Sequence, residues 1–282
     1  MRRLVEALNA CWRPHFPGQP EITLADFKRD IRERQVWCSS CMIAFDGAEP
    51  IGVLIGAKRP HATLVDRIAV RPDRVRQGHG RHMLESLGAK LEILGPPLIV
   101  TEIPESLPGA AAFFEACGYE RADRLVDWAL EDGSALAAGA PAPAGDRFLV
   151  PQTVADLAAN RLLADRAGIA WDQAAATLLG RAERIEGFGV TTVDQIEAFV
   201  LFHRHGEGRP GATIDALTSA AGQGEGPLLG LLLAVIGATG APLVMPRLGE
   251  NDATAATLAR CGFRPAAAAW RYTAGRPGLT SP

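Results

Sequence analysis

The feature that most constrains the fold of this chain is an internal repeat. The segment VRQGHGRHMLESL at 75–87 is echoed by AGQGEGPLLGLLL at 221–233, and FFEACGYERADRLVDW at 113–128 is echoed by TLARCGFRPAAAAWRY at 257–272. A strand-like run with one acid stands before each glycine-rich segment, VDRIAV in the first half and IDALT in the second. Matches in the same order and at nearly constant separation predict a tandem duplication.

The stretch between the two repeats sets the predicted domain boundaries. It reads EDGSALAAGAPAPAGD, which is rich in Ala, Gly and Pro and lacks the pattern of a buried element. We therefore predict an N-terminal domain at 1–132, a linker at 133–146, a C-terminal domain at 147–275 and a tail at 276–282. The length of 282 residues suits two domains, and an apolar content of 48% provides for a substantial core.

Each half has the pattern of a mixed α/β domain. In the first half, LVEALNAC and LADFKRDIRE have helical spacing, while CMIAF and PIGVLIG are strand-like and are joined through Asp46-Gly47, a hairpin signal. The strand ATLVDRIAV leads into the glycine-rich loop, which is followed by a helix, the strand PLIVTEI, a helix through AAAFFEACG and a last strand near RLVDWAL. The second half repeats this order more loosely. We predict two tandem α/β repeats, each with a mixed, largely antiparallel sheet flanked by helices.

Composition excludes several classes of function. The net charge of −3 gives no global reason to expect nucleic-acid or membrane binding. The longest uncharged apolar run, PLLGLLLAVIGATGAPLVMP, is interrupted by glycines and prolines and fails as a membrane span. The apolar run near the N-terminus is too short for a secretory signal, and five cysteines do not suggest a disulfide scaffold. We expect a cytoplasmic protein with no nucleic-acid or membrane partner.

The glycine-rich loop RVRQGHGRHML at 74–84 predicts an anion site. Glycine costs about 1 kcal/mol relative to alanine inside a helix, so two glycines at a helix start need a reason. A strand that enters such a turn presents free backbone N–H groups and the positive end of the helix dipole to a phosphate. A plain tight turn needs one glycine and no surrounding arginines, and the spacing fits neither the P-loop nor the dinucleotide fingerprint.

This loop, with the strand before it, the amphipathic helix after it and the later Cys-Gly-aromatic triplet, resembles the pyrophosphate loop of the GNAT superfamily of acyl-CoA N-acyltransferases. The resemblance covers most of 1–132 and, more weakly, 147–275. It implies an enzyme that uses acetyl-CoA or another acyl-CoA as co-substrate, without a metal. The acyl group would pass directly, in a ternary complex, to a primary amine of a small molecule or peptide. The chain would act as a monomer or homodimer.

The resemblance also implies positions for the coenzyme. The strand residues Ile68, Ala69 and Val70 would hold the pantetheine arm by backbone hydrogen bonds and polarise the thioester carbonyl. The pyrophosphate would be held by the six residues of the loop and helix start, namely Arg76, Gln77, Gly78, His79, Gly80 and Arg81. The first position of the family's loop, usually Arg or Gln, is Val75 in this chain, and Arg76 stands one place later.

The catalytic residues are less clearly indicated. The family often places a tyrosine acid at the position that is Phe114 in the first half and Leu258 in the second, so no tyrosine acid is carried over. A thiolate with a pKa of about 8.5 leaves readily without one. The amine, with a pKa of about 10.4, must lose a proton. Asp66 is the candidate base in the first half and Asp215 in the second; both residues have structural alternatives, and water is an alternative base.

Charge favours the first half as the coenzyme site. The segment from Asp66 to Arg81, with both ends included, has five arginines and two acids. The segment from Asp215 to Pro227 has no basic residue and carries Glu225 in the loop itself. A carboxylate beside a pyrophosphate costs about 1 kcal/mol at 4 Å even in water. The rival function is a non-catalytic module that binds an acyl-CoA or serves only as a structural partner.

One cysteine pair, Cys38-x-x-Cys41, has the spacing of a metal or redox motif. A single such pair supplies only two metal ligands, and no thioredoxin-like pattern precedes it. We therefore expect ordinary loop cysteines at these positions and no metal site in the chain.

Overall fold

A computed structural model describes residues 1–133, 136, 147–163, 169–206, 208–220 and 226–275. The described α-helices are α1 Arg2–Cys11, α2 Leu24–Arg34, α3 His79–Leu94, α4 Pro108–Ala116, α5 Val154–Ala159, α6 Ala175–Gly180, α7 Gly226–Thr239 and α8 Ala253–Arg260. The described strands are β1 Met42–Asp46, β2 Glu49–Lys58, β3 Ala62–Val70, β4 Leu98–Pro104, β5 Glu120–Leu130, β6 Phe148–Pro151, β7 Glu186–Thr191, β8 Ile196–Arg204, β9 Ala212–Ser219, β10 Leu243–Gly249 and β11 Arg264–Gly275. Short 3₁₀ turns include Arg13–His15, Cys38–Ser40 and Pro72–Arg74.

Local sequence signals explain several of these boundaries. Helix α2 begins after Thr23, whose hydroxyl accepts the backbone N–H of Asp26, while the Asp26 carboxylate accepts the backbone N–H of Thr23. This reciprocal capping box satisfies two N–H groups that the first turn leaves unpaired. The β1–β2 hairpin turns at Gly47, whose φ of 59° lies in the left-handed region. The hairpin predicted at Asp46-Gly47 is thus confirmed.

The chain divides into two compact units, and each unit takes a strand segment from the other half of the sequence. Unit 1 consists of 1–122 with 270–282, and unit 2 consists of 123–269. The boundary falls inside β5, between Ala122 and Asp123, and inside β11, between Ala269 and Trp270. The predicted domains, 1–132 and 147–275, are contiguous in sequence, whereas each of these units also contains part of a strand from the other half. Sequence pattern locates a strand but not the sheet in which it pairs.

The described strands of unit 1 lie in the order β1-β2-β3-β4-β11. β1, β2 and β3 are antiparallel neighbours, and β3 runs parallel to β4. The core between the sheet and helices α3 and α4 contains buried side chains from both halves of the sequence: Leu54, Val65, Met83, Leu84, Leu87, Leu91, Ile103, Phe114, Tyr119 and Tyr272.

The described strands of unit 2 lie in the order β5-β10-β9-β8-β7-β6. As in unit 1, two antiparallel pairs, β7–β8 and β8–β9, precede a parallel pair, β9–β10. Helix α7 buries Leu228, Leu231, Leu232 and Val235 in a core that also contains Leu130 of β5. A second core, on α5 and α6, contains Leu157, Leu178 and Phe199.

The two helix ends that suggested a duplication have the same backbone conformation. Gly118 follows α4 with a φ of 84°, and Gly262 follows α8 with a φ of 89°. The next residue donates its N–H back into the helix in both cases, from Tyr119 to Phe114 and from Phe263 to Leu258, at 3.0 Å. Left-handed glycine with this return bond ends the helix and turns the chain into the following strand. The predicted mixed α/β class and tandem organisation are confirmed.

Parts of the predicted organisation lie outside the described residues. They are most of the linker at 133–146, the tail at 276–282 and the second glycine loop at 221–225. Among the helices that the structure describes, none is both long enough and apolar enough to cross a membrane.

Candidate active site in unit 1

The centre of the candidate site is a gap between β3 and β4. These parallel strands pair only where Ala62–Leu64 face Leu98–Val100. β3 then continues to Val70 and β4 to Pro104 without further pairing to each other. Because a paired strand saturates its neighbour's peptide groups, this divergence leaves one edge of β3 open.

Alternation along β3 determines which peptide groups face the gap. The N–H of Arg71 donates to Ile51 O of β2 at 2.9 Å, so Ala69, two residues earlier and opposite Val53, also directs its peptide groups to β2. Ile68 and Val70 therefore direct their N–H and C=O groups into the gap. Of the three strand residues predicted to hold a ligand, Ile68 and Val70 have the required direction, whereas Ala69 is engaged in the sheet.

Two side chains, neither of them among the predicted site residues, occupy part of this edge. Thr101 of β4 donates its hydroxyl to Val65 O at 3.0 Å, and His15 Nε2 donates to Val70 O at 2.8 Å. Ile68 N–H, Ile68 C=O and Val70 N–H remain as the polar backbone groups open to the gap. No sequence signal links His15 to a carbonyl 55 residues away.

The loop that follows β3 presents a run of free amides. After the 3₁₀ turn Pro72–Arg74, Arg76 and Gly78 have φ of 64° and 84°, and α3 begins at His79. Helix α3 has no side-chain N-cap, and no hydrogen bond in the described chain engages the backbone N–H groups of Arg76–Arg81. Unpaired amides at the positive end of a 16-residue helix are an arrangement that favours a bound anion.

The two glycines of the loop have different roles. Gly78 has open space where a Cβ would stand, but its φ of 84° is rare for any other residue. Gly80 lies in α3, and a Cβ there would come within 3.1 Å of two ring atoms of Phe113 on α4. Gly78 therefore shapes the loop, and Gly80 allows α3 to approach α4 closely.

Most of the arginines near the loop are neutralised by carboxylates. Arg67 pairs with Asp30 at 3.0 Å, Arg71 with Glu49 at 2.9 Å and Asp73 at 2.6 Å, and Arg74 with Asp46 at 2.9 Å. Hydrogen bonds to Asp73 and Glu49 raise the pKa of Arg71 above its usual value. Arg81 donates to Ala116 O at 2.8 Å. Arg76 is exposed and makes no ion pair within the described residues, so it is the arginine most available to an incoming anion.

The candidate base Asp66 is buried in an ion pair. It sits at the β-bulge between Ile55 and Gly56 of β2, with its side chain 3% exposed. Arg34 of α2 approaches Oδ1 at 3.1 Å, and Arg67 approaches Oδ2 at 3.6 Å. The second oxygen of this carboxylate, Oδ2, is buried and has no hydrogen-bond partner.

Asp215 occupies the matching position in unit 2. It also sits at a β-bulge, between Leu201 and Phe202 of β8, and its side chain is 4% exposed. It accepts a hydrogen bond from His203 Nδ1 at 2.7 Å, and Arg181 lies 3.9 Å away. A buried, bulged aspartate next to an arginine from the helical layer is thus common to both repeats.

A cavity of about 310 Å³ lies beside α3 in unit 1. Its walls include Leu84, Leu91, Ile99 and Tyr119, and Arg81 of the first helical turn reaches it. Burial raises the pKa of the Tyr119 phenol above its usual value. The cavity runs along α3 from Arg81 to Glu92, and the side chains of Glu85 and Glu92 also line it.

Within the residues that the structure describes, no group of three or more His, Cys, Asp or Glu side chains is arranged to hold a metal ion.

Comparison with known proteins gives the same architecture. Residues 37–121 match the family model described as an acetyltransferase (GNAT) domain. A tandem GNAT protein from the clavulanic acid biosynthesis pathway is 18% identical, with a TM-score of 0.68 over 99% of this chain and 97% of that one. A GCN5-related N-acetyltransferase from Sphaerobacter thermophilus is 15% identical, with a TM-score of 0.64 over 98% and 93%. A GCN5-related N-acetyltransferase from Anabaena variabilis is 12% identical, with a TM-score of 0.67 over 96% and 69%. No curated protein sequence matches the chain significantly.

Proposed function

We propose that this chain, which has the tandem GNAT fold and a GNAT domain at 37–121, is an acyl-CoA-dependent N-acyltransferase whose active site lies in unit 1. One observation carries the proposal. The open edge of β3 at Ile68 and Val70 leads directly into the free amides of Arg76–Arg81. The first feature suits an extended amide-bearing chain, and the second suits a diphosphate.

The diphosphate of coenzyme A would lie on the loop and the first turn of α3. A helix N-terminus contributes up to about 2 kcal/mol to anion binding in favourable geometry, and each amide adds a charge-assisted hydrogen bond. Arg76 would supply the nearest uncompensated positive charge. The pairing of Arg67, Arg71 and Arg74 with carboxylates means that backbone groups, rather than a basic collar, provide most of the binding.

The pantetheine arm would extend along β3 with the thioester near Ile68. Its amides would use Ile68 C=O and Val70 N–H, and Ile68 N–H would donate to the thioester oxygen as negative charge develops there. The amine nitrogen attacks the carbonyl carbon, the resulting tetrahedral intermediate collapses, and the coenzyme thiolate leaves. The thiolate needs little acid help because the pKa of an ordinary thiol is about 8.5.

Removal of the amine proton is assigned to water, with Asp66 in a structural role. Asp66 lies at the bulge of β3, and its side chain is only 3% exposed, so it offers little surface to a substrate amine. The acceptor is a primary amine of a small molecule or a peptide. Acetyl is the proposed acyl group.

A second candidate function is an acyl-CoA-binding module without catalysis. It is favoured by two observations. Phe114, which stands where the family often has a tyrosine acid, is buried. The Asp66 carboxylate is buried beside Arg34 and Arg67. Under both candidate functions, unit 2 would serve as a structural partner of unit 1.

Thermal-shift titration with acetyl-CoA and with free coenzyme A, followed by thiol release in the presence of a panel of primary amines, tests the proposal. Both ligands should stabilise the protein, since a ligand at 100 times its Kd adds about 2.7 kcal/mol. Amine-dependent thiol release would support the transferase. Stabilisation without release on any amine would favour the binding module, and no stabilisation would overturn both.

A further inference from the structure

A pair of cysteines in unit 1 brackets a single closed turn. Cys38 begins the 3₁₀ turn Cys38–Ser40, and Cys41 donates its N–H to Cys38 O at 3.1 Å. With three residues per turn, side chains three positions apart lie on the same side. A rise of about 2 Å per residue places their Cα atoms about 6 Å apart, within the range of about 4.4–6.8 Å that a disulfide requires.

The turn that carries the two cysteines is fixed on β2 by backbone contacts. Trp37 N–H donates to Gly56 O at 3.0 Å, and Val36 forms a bridge with Ala57. Ser40 is buried against the same strand so closely that a Cβ on Gly56 would lie 2.5 Å from Ser40 O. Both ends of the cysteine turn are therefore seated on the sheet.

The two thiols differ in accessibility. Cys38 is exposed, whereas Cys41 is half-buried and donates its thiol hydrogen to Trp37 O at 3.3 Å. Burial raises the pKa of Cys41 to about 11. A reagent in solution therefore meets Cys38 first, and Cys41 is placed to attack a sulfur already bonded to Cys38.

We propose that Cys38 and Cys41 form a redox-active dithiol that is oxidised by low-molecular-weight disulfides. The Cys38 thiolate attacks one sulfur of the small disulfide, which breaks its S–S bond, forms a mixed disulfide and releases one thiolate. Cys41 then loses its proton to water and attacks the Cys38 sulfur, which forms the Cys38–Cys41 bond and releases the second thiolate. Two electrons pass from the protein to the small disulfide, which leaves as two thiols. This chemistry is independent of acyl transfer.

The raised pKa of Cys41 sets the pH dependence of the second step. Only thiolate attacks, so ring closure is slow at neutral pH and should accelerate about tenfold per pH unit until the pH approaches the pKa of the thiol. The mixed disulfide should therefore be visible at pH 7 and short-lived at pH 9.

The test uses the full chain, oxidised glutathione, alkylation of remaining thiols and tryptic digestion. Cleavage after Arg34 and Lys58 places both cysteines in one peptide, 35–58, which contains none of the other three cysteines. We expect this peptide to lose two hydrogens and resist alkylation, and dithiothreitol should restore both thiols. Cys11, Cys117 and Cys261, measured in their own peptides, serve as internal references.

Two variants separate the steps. Cys41→Ser should stop at the mixed disulfide. Cys38→Ser should react with oxidised glutathione at least about tenfold more slowly than the wild type, because the remaining thiol is half-buried. Full alkylation of both cysteines of the wild-type peptide after prolonged oxidation would overturn the proposal. The proposal would also be overturned if the wild-type peptide kept its glutathione adduct at pH 9 and never formed the Cys38–Cys41 disulfide.

Discussion

Gly78 and Gly80 are two positions apart, yet each is required for a different reason. Gly78 adopts a φ of 84°, and Gly80 lies against the Phe113 ring. The loop conformation that leaves the Arg76–Arg81 amides free therefore depends on Gly78. Gly80 acts on the packing of α3 against α4.

We predict that Gly78→Ala weakens acyl-CoA binding about 5- to 20-fold, because a side chain at this φ costs about 1–2 kcal/mol or shifts the loop. The matched control is Gly88→Ala in the same helix, where a Cβ meets nothing within 4 Å. Calorimetric titration with coenzyme A measures both. Equal affinity in the two variants would contradict the role given to Gly78.

Substitution of Asp66 distinguishes a structural role from a catalytic one, because the first affects stability and the second affects kcat. Asp66→Asn leaves Arg34 and Arg67 beside a neutral amide. We expect a loss of about 1–3 kcal/mol in the free energy of unfolding, below the usual cost of breaking a fully buried pair because both arginines are partly exposed.

The same variant should keep kcat within about threefold of wild type, because the proton is assigned to water. Urea unfolding and steady-state thiol release give the two quantities. A kcat reduced about 100-fold or more, with unfolding free energy unchanged, would make Asp66 the general base.

At the scale of elements, the divergence of β3 from β4 creates the gap in which we propose that the reaction takes place. The substitution Ile68→Pro removes one N–H that faces the gap. It keeps the hydrogen bonds to β2, because Ile68 stands opposite Leu54 at a position of the ladder that is not hydrogen-bonded. We predict that Ile68→Pro lowers kcat about 100- to 1,000-fold, the cost of one oxyanion donor, with acyl-CoA affinity changed only a few-fold.

Ile68→Val keeps the N–H and is the control for the altered side chain. Circular dichroism checks that each variant is folded. If Ile68→Pro retains wild-type kcat, the thioester is not polarised at this position.

Elements and their order followed from sequence because they rest on local physics. Periodicity located β3 and α3, and the repeated Cys-Gly-aromatic triplets located two helix ends that indeed share a left-handed glycine. The ion-pair partners of the arginines near the loop could not be predicted from sequence. The carboxylates involved, Asp30, Asp46 and Glu49, come from other parts of the chain. The hydrogen bond from His15 to Val70 O could not be predicted either, because only the folded chain brings these two residues together.

At the scale of the whole molecule, each unit depends on both halves of the sequence, because it contains part of a strand from the other half. Tyr272 comes from the second half but is fully buried in unit 1, where its hydroxyl donates to Glu115 at 3.1 Å and accepts from Arg121 at 2.9 Å. Tyr119 and Phe114 belong to the same core. Removal of β11 would therefore take part of the core from unit 1.

We predict that Tyr272→Ala destabilises unit 1 by about 3–5 kcal/mol, as for other large aromatic side chains removed from a core. Tyr272→Phe, which removes only the hydroxyl, should cost about 1 kcal/mol. Denaturant unfolding gives both values, and coenzyme A binding reports on unit 1. Wild-type stability of Tyr272→Ala would show that β11 does not support unit 1.

Backbone amide NMR of the full chain, titrated with coenzyme A, tests the central claim most directly. The account predicts saturable shifts of the amides of Arg76–Arg81, where the diphosphate binds, and of Val70, which would donate to the pantetheine arm. Ala69, whose N–H belongs to the β2 ladder, should shift less. If saturating coenzyme A leaves the amides of Arg76–Arg81 unchanged, unit 1 does not bind the coenzyme at this loop.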